Sequence, residues 1–186
     1  MTKDKQKKPD IGIVRKQDIL ESPVNYAYLS LGSNLGKKIY NLELAKYKLS
    51  KKGIFINKSS SFYVTRSWPN PNFPDFVNAV LLIKTNLTLV QLFKEVKLIE
   101  KTLGRVNAPK NYPRICDIDI LDFNGKLIKL LNIDLTVPHP RMDKRSFVLL
   151  PLFEINKTWV HPKTKKKIVN LISNLKGDDI RSIKFV

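Results

Sequence analysis

The chain has 186 residues, 42% of them hydrophobic, with 34 Lys plus Arg against 16 Asp plus Glu and a net charge of +18. That length holds one domain with its own core, and no apolar run approaches the roughly 20 residues that cross a bilayer. The single cysteine, Cys116, excludes an internal disulfide framework, and two histidines leave a structural zinc site short of ligands.

MTKDKQKKPD at the N-terminus has lysines but no apolar stretch after them, so it does not read as a secretory signal. A cytoplasmic, monomeric protein is the expectation. Residues 1–24 read as a flexible basic tail and residues 25–186 as a single domain. The positive excess suits polyanions: nucleic acid, nucleotide phosphates or an anionic membrane surface. The lysines are scattered through every segment, however, which favours a solvated surface for most of them.

In chain order, YAYLSL (26–31) alternates as a strand and GSNLG (32–36) breaks it. From Lys37 to Leu49 the residues Ile39, Leu42, Ala45, Tyr47 and Leu49 recur at near-helical spacing, and Gly53 ends that helix. IFINKSSSFYVT (54–65) is β-branched and aromatic, which predicts one strand. RSWPNPNFPDF (66–76) is loop, and FVNAVLLIKT (76–85) is a strand interrupted only by Asn78. A second helix spans 89–103, with Leu89, Leu92, Phe93, Val96 and Ile99 as its apolar stripe. Thr88 with Gln91 forms its capping box and Gly104 its stop. RVNAPKNYPR (105–114) is a basic loop before the strand ICDIDILDF (115–123), which NGK (124–126) turns back into LIKLL. PHPRMDKRSFVLLPLFEI (138–155) starts as loop and becomes a short helix, and residues 167–175 form another.

The order β-α-β-β-α-β over 26–121 predicts an α+β, ferredoxin-like sandwich. Its sheet is mainly antiparallel, both helices lie on one face, and C-terminal additions follow.

Asp117 and Asp119 sit inside an apolar strand. Side chains alternate, so both point to one face, with Cys116, Ile118 and Ile120 opposite. Their backbones lie about 6.5–7 Å apart, and unpaired they would raise each other's pKa. A pair of Mg²⁺ ions bridged by these carboxylates and by phosphate oxygens relieves that repulsion. Pairing with lysines on an exposed face would relieve it too, and D-x-D alone does not decide. Arg105, Lys110, Arg114, Arg141, Lys144 and Arg145 crowd the flanking loops, and metal with clustered arginine is what a polyphosphate needs. No P-loop or kinase glycine-rich loop is present.

LGSNLG, SSFYVT, DFVNAV, PRICDIDIL and LTVPH, followed by RSFVLLPLFEI, stand in an order and spacing that resemble the 6-hydroxymethyl-7,8-dihydropterin pyrophosphokinases, enzymes of folate biosynthesis. The likeness runs from Tyr26 to Ile155. It implies transfer of the β,γ-pyrophosphoryl unit of ATP to the pterin hydroxymethyl group, release of AMP, and two Mg²⁺. By that resemblance Asp117 and Asp119 bind magnesium, and Arg105 and Arg114 act with them in catalysis. Glu100, Arg105, Arg114, His139 and Arg145 hold ATP. Asn78 and the Thr65 backbone meet the pterin, Phe147 stacks on it, and Phe76 and Trp68 line its pocket. Away from the resemblance, Phe76 and Phe147 read as core residues, Glu100 as a helix-surface charge and Arg141 as a surface charge.

The likeness is incomplete. Tyr112 stands where a small residue is usual and is the candidate lid over the pterin. Asp134 stands where a basic residue often contacts ATP. The rival reading is an RNA-binding module, because RNA-recognition motifs share the ferredoxin-like topology. It requires an aromatic RNP-like segment that this chain lacks, and Asp117 and Asp119 would repel a phosphate backbone unless metal intervened, so no nucleic acid is expected. A basic tail tethering an enzyme to a polyanion is a third possibility.

Overall fold

Asn25–Ser33 forms the central strand β1, in which Ala27, Leu29 and Leu31 point one way and Tyr28, Ser30 and Gly32 the other. The computed structural model describes residues 23–67, 70–105, 112–177, 180 and 183–186. After β1 come α1 (Lys38–Ser50), β2 (Ile54–Ser59), β3 (Tyr63–Thr65), β4 (Phe76–Thr85), α2 (Leu89–Thr102) and β5 (Asp117–Phe123). β6 (Ile128–Leu130) and β7 (Leu135–Val137) form a separate hairpin, and α3 (Ser146–Ile155), α4 (Ile168–Ser173) and β8 (Lys184–Phe185) complete the chain.

The main sheet runs β5-β1-β4-β3-β8, with β2 also on β4, and every pairing in it is antiparallel. Taken through β1, β2, β4 and β5, that is the order expected of a β-α-β-β-α-β sandwich. Residues 54–65 are not one strand. They divide at Ser60, whose N–H donates to the Val80 carbonyl (2.9 Å) while its hydroxyl accepts from the Val80 N–H (3.0 Å). Glu154 of α3 takes the next donors, the Ser61 N–H at 3.0 Å, the Ser61 hydroxyl at 2.8 Å and the Tyr63 hydroxyl at 2.8 Å. Serine side chains that bond nearby backbone compete with the ladder.

α1 and α2 cover one face. Leu42, Ala45 and Leu49 of α1 and Leu92, Val96 and Ile99 of α2 bury against Leu29, Leu31, Leu81, Ile83, Ile118 and Ile120. Tyr47 of α1 faces outward instead. The α2 capping box is formed, with the Gln91 N–H donating to Thr88 Oγ1 (3.3 Å) and the Thr88 N–H to Gln91 Oε1 (2.8 Å). Gly53 and Gly104 sit at φ +69° and +93° just past their helices, a conformation that favours glycine.

The opposite face is covered as well, by α3 and α4. Val148, Leu149, Leu152 and Ile168 pack there on Val80 and Leu121. Leu121 reaches that face by the same alternation as Asp117 and Asp119. A bulge follows it, in which Ile120 pairs with Leu29 and Asp122 with Tyr28, so Asp122 is brought to that face as well. Asp122 then accepts from the Trp159 indole N–H at 3.0 Å. The C-terminal segment is thus a second layer of the core and leaves only one end of that sheet face for chemistry. None of the described helices is long and apolar enough to cross a membrane.

Replacing Thr88 by Ala removes a formed cap and should lower stability by about 1 kcal/mol. Urea unfolding checks this, with an unchanged m-value expected.

Candidate active site

Directly opposed residues of antiparallel strands share a face. Asp117 pairs with Gly32 and Gly32 with Asn78, so the three lie in one row across β5, β1 and β4. Tyr63 of β3 stands opposite Asn78, and Thr65 opposite Phe76, next to the row. Gly32 lies between the aspartate and the amide. A Cβ there would come within 3.1 Å of Asn78 Oδ1 and 3.5 Å of the Phe76 ring, so glycine lets these side chains approach the backbone. Asn78 is buried and donates from Nδ2 to Thr65 Oγ1 at 2.9 Å.

Three segments bring cations to the aspartates. Arg105, just after α2, places Nη1 2.5 Å from Asp117 Oδ1 and 2.7 Å from Glu100 Oε1. Arg114, before β5, places Nη2 2.6 Å from Asp117 Oδ2. Arg145, at the start of α3, reaches Asp119 Oδ2 at 3.4 Å. His139 follows β7 and is fixed to the end of β5 by its N–H, which donates to the Leu121 carbonyl at 2.8 Å. Its Nδ1 accepts the Arg141 N–H (3.1 Å), so the neutral ring carries its proton on Nε2, 3.7 Å from Asp119 Oδ2. Burial holds this imidazole below its usual pKa, with Asp119 opposing the shift.

Glu100 is not a surface charge. Only 2% of its side chain is exposed, and Oε1 accepts from the Ile118 N–H (2.6 Å), Lys97 Nζ (3.0 Å) and Arg105. It therefore satisfies the outward N–H of β5 and anchors the arginine that grips Asp117. Burial raises its carboxyl above the ordinary range, with Lys97 opposing. Burial also works to raise Asp117, but Arg114 and Arg105 outweigh it and hold this carboxyl below its ordinary value. Pairing with arginine thus reverses the upward shift expected for two neighbouring carboxylates.

Two of the arginines also lie over aromatic rings. Arg114 sits 5.1 Å from the Phe76 centroid and Arg145 5.4 Å from that of Phe147. Phe76 and Phe147 are both half-buried, so each ring keeps contact with the core and with the site.

Sequence reasoning missed Asn34. It lies in GSNLG, which reads only as a break after the strand, and the residue before α1 is Lys37. Asn34 is buried, and its Oδ1 accepts the Arg114 N–H at 2.7 Å while its own N–H donates to the Arg114 carbonyl at 3.1 Å. Its Nδ2 donates to Ser67 Oγ (3.3 Å) and to the Pro74 carbonyl (3.2 Å). One amide thus ties the loop before β5 to the loop before β4. Tyr112, the candidate lid, is 50% exposed and packs on Phe73 of that second loop at 5.6 Å. Asp134 is exposed and left-handed (φ +47°), a backbone state that Asp tolerates better than most residues. Trp68 and Lys110 lie outside the described residues.

Among the described residues no group of three or more His, Cys, Asp and Glu side chains gathers as a metal cage. Two carboxylates on one face still suit Mg²⁺, which takes one or two carboxylates and completes its shell with water and substrate phosphates. A metal ion there would compete with Arg105 and Arg114 for Asp117, and the released guanidinium groups match phosphate oxygens.

The fold places clustered arginines and two carboxylates together, groups suited to phosphate. Residues 28–157 match the family model of 7,8-dihydro-6-hydroxymethylpterin-pyrophosphokinase (HPPK), and the chain belongs to that family. It is 35% identical over 150 residues to the 2-amino-4-hydroxy-6-hydroxymethyldihydropteridine pyrophosphokinase of Synechocystis sp., a match covering 80% of this chain and 75% of that one. With the Aquifex aeolicus protein of the same name it shares 39% over 143 residues, 76% of this chain and 86% of that one. It is 40% identical over 156 residues to the folic acid synthesis protein fol1 of Pneumocystis carinii, covering 84% of this chain but 21% of that longer protein. A crystal structure of Plasmodium falciparum HPPK-DHPS has the same fold, with a TM-score of 0.70 at 20% identity over 90% of this chain and 48% of that one.

The depressed Asp117 pKa has a stability consequence whose sign is fixed. A carboxyl held below its unfolded value stabilises the fold above that value, 3.8, and loses the contribution as pH falls through the lower folded value. Asp117→Asn should therefore be destabilising at pH 7, with the gap to wild type closing below pH 3.8. Denaturant titrations of both proteins across pH 2–7 check it.

Proposed function

We propose that the chain transfers the β,γ-pyrophosphoryl unit of ATP to the hydroxymethyl group of 6-hydroxymethyl-7,8-dihydropterin, giving AMP and the pterin diphosphate, a step of folate biosynthesis. The observation that carries this reading is the row Asp117–Gly32–Asn78. It sets an anionic, cation-lined end for a triphosphate two strands, or about 10 Å, from an amide suited to a pteridine edge.

Asp117 and Asp119 are the residues that would hold two Mg²⁺. Bound there, the ions would neutralise the triphosphate and orient its oxygens. Arg105, Arg114 and Arg145 would bind phosphate oxygens through their planar forks, and a neutral His139 would donate from Nε2. Glu100 would act through Arg105, because its carboxylate is already engaged inside the fold. At the pterin end Asn78 would give both a donor and an acceptor to the ring edge, with Thr65 beside it. Phe76 and Phe147 would offer faces for the flat heterocycle in the places the arginines now cover. The loops linked by Asn34 and by the Tyr112–Phe73 contact would exclude water that otherwise hydrolyses ATP.

The RNA-binding reading loses support here, because α3 covers the middle of the sheet face on which such modules stack bases. A cytoplasmic location accords with a single cysteine that is buried, its thiol pushed up to about 12 by desolvation.

The test is incubation with Mg²⁺, ATP and 6-hydroxymethyl-7,8-dihydropterin, followed by identification of the nucleotide formed. Pterin-dependent AMP is expected, and ADP would mean ordinary phosphoryl transfer. Asp117→Ala should lower turnover by about three orders of magnitude or more, and a loss under about tenfold, roughly 1.4 kcal/mol of barrier, contradicts the assigned role.

A further inference from the structure

The row through the site does not end at Asn78. Tyr63 lies opposite Asn78, and Phe185 of β8 lies opposite Tyr63, so Phe185, Tyr63, Asn78, Gly32 and Asp117 stand in one line across five strands. β8 lies beyond residues 28–157, the part that matches the family model. It pairs with β3 through Phe185–Tyr63 and Lys184–Val64, and the Val186 N–H donates to the Phe62 carbonyl at 3.2 Å. The Phe185 ring packs on Tyr63 at a centroid distance of 4.7 Å and is itself 72% exposed, whereas Tyr63 is 3% exposed.

Tyr63 is therefore held at two points. Its hydroxyl donates to Glu154 of α3, and its ring is covered by Phe185. β3 is only three residues long and carries Thr65, the partner of Asn78 Nδ2. So short a strand is not held in register by its own ladder. The Phe185 ring, tilted by 46° against that of Tyr63, shields it from solvent, and Tyr63 stands directly opposite Asn78.

We propose that Phe185 is a positioning residue for the pterin end of the site, acting through Tyr63 to fix β3 and so the Asn78–Thr65 pair. This inference rests on the proposed function. It assigns to the C-terminal strand a part in pterin binding that leaves the ATP end, two strands away, untouched.

The experiment compares wild type, Phe185→Ala and Phe185→Tyr by steady-state kinetics in each substrate, and by amide hydrogen exchange at residues 63–65. Removing the ring should raise the pterin KM about three- to tenfold, the size of one aromatic pair. The ATP KM and kcat should stay unchanged, exchange at Val64 and Thr65 should speed up, and Phe185→Tyr should restore all three. Equal changes in both KM values, no change in either, or unaltered exchange in Phe185→Ala would overturn the inference. A wild type that makes no AMP contradicts the proposed function and the inference with it. That result differs from an active wild type whose alanine variant matches it.

Discussion

Two carboxylates on the same face of one strand repel each other unless cations stand beside them, and several segments of this molecule supply those cations. Asp117 is gripped by Arg105 from the end of α2 and by Arg114 from the approach to β5. Asp119 faces Arg145 and His139 from the segment between β7 and α3. The two ends of the loop before β5 and the segment before α3 therefore converge on residues 117 and 119. Removing any one would leave a charge in a half-buried setting, where unpaired charges are costly.

The same constraint explains Glu100. A buried carboxylate beside Asp117 would add to the repulsion unless it had its own cations. It shares Arg105 with Asp117, pairs with Lys97, and takes the outward N–H of Ile118, which no neighbouring strand covers. Charge balance and backbone satisfaction are thus met by one side chain. On the other side of Gly32, where no charge needs cancelling, the sheet carries amide, hydroxyl and aromatic groups instead. Along this one row the chemistry thus changes from charged to neutral.

Features governed by local period were legible in the sequence: the two helices of the first layer, the Thr88 capping box, and the common face of Asp117 and Asp119. Features that depend on distant partners were not. Residues 54–65 look like one strand because the Glu154 that takes the donors of Ser61 and Tyr63 lies 93 and 91 positions further on. Asn34 reads only as part of the break after the first strand, since its partner, Arg114, is 80 residues away. Glu100 reads as exposed because charged helix residues usually are, and only the fold shows that three cationic or N–H groups await it. α3 and α4 were legible as helices but not as the second layer of the core, because Val80 and Leu121, on which they pack, belong to strands distant in sequence.

If Asp117 and Asp119 hold divalent cations with a triphosphate, those ions compete with the arginines that now pair with Asp117. Electron paramagnetic resonance titration with Mn²⁺, an ion of the same ligand preference, tests it most directly. The account predicts weak binding to the protein alone. With a non-hydrolysable ATP analogue and the pterin it predicts tight binding of two ions, lost in Asp117→Asn and in Asp119→Asn. Binding that is equally tight without nucleotide, or unaffected by either substitution, would contradict it.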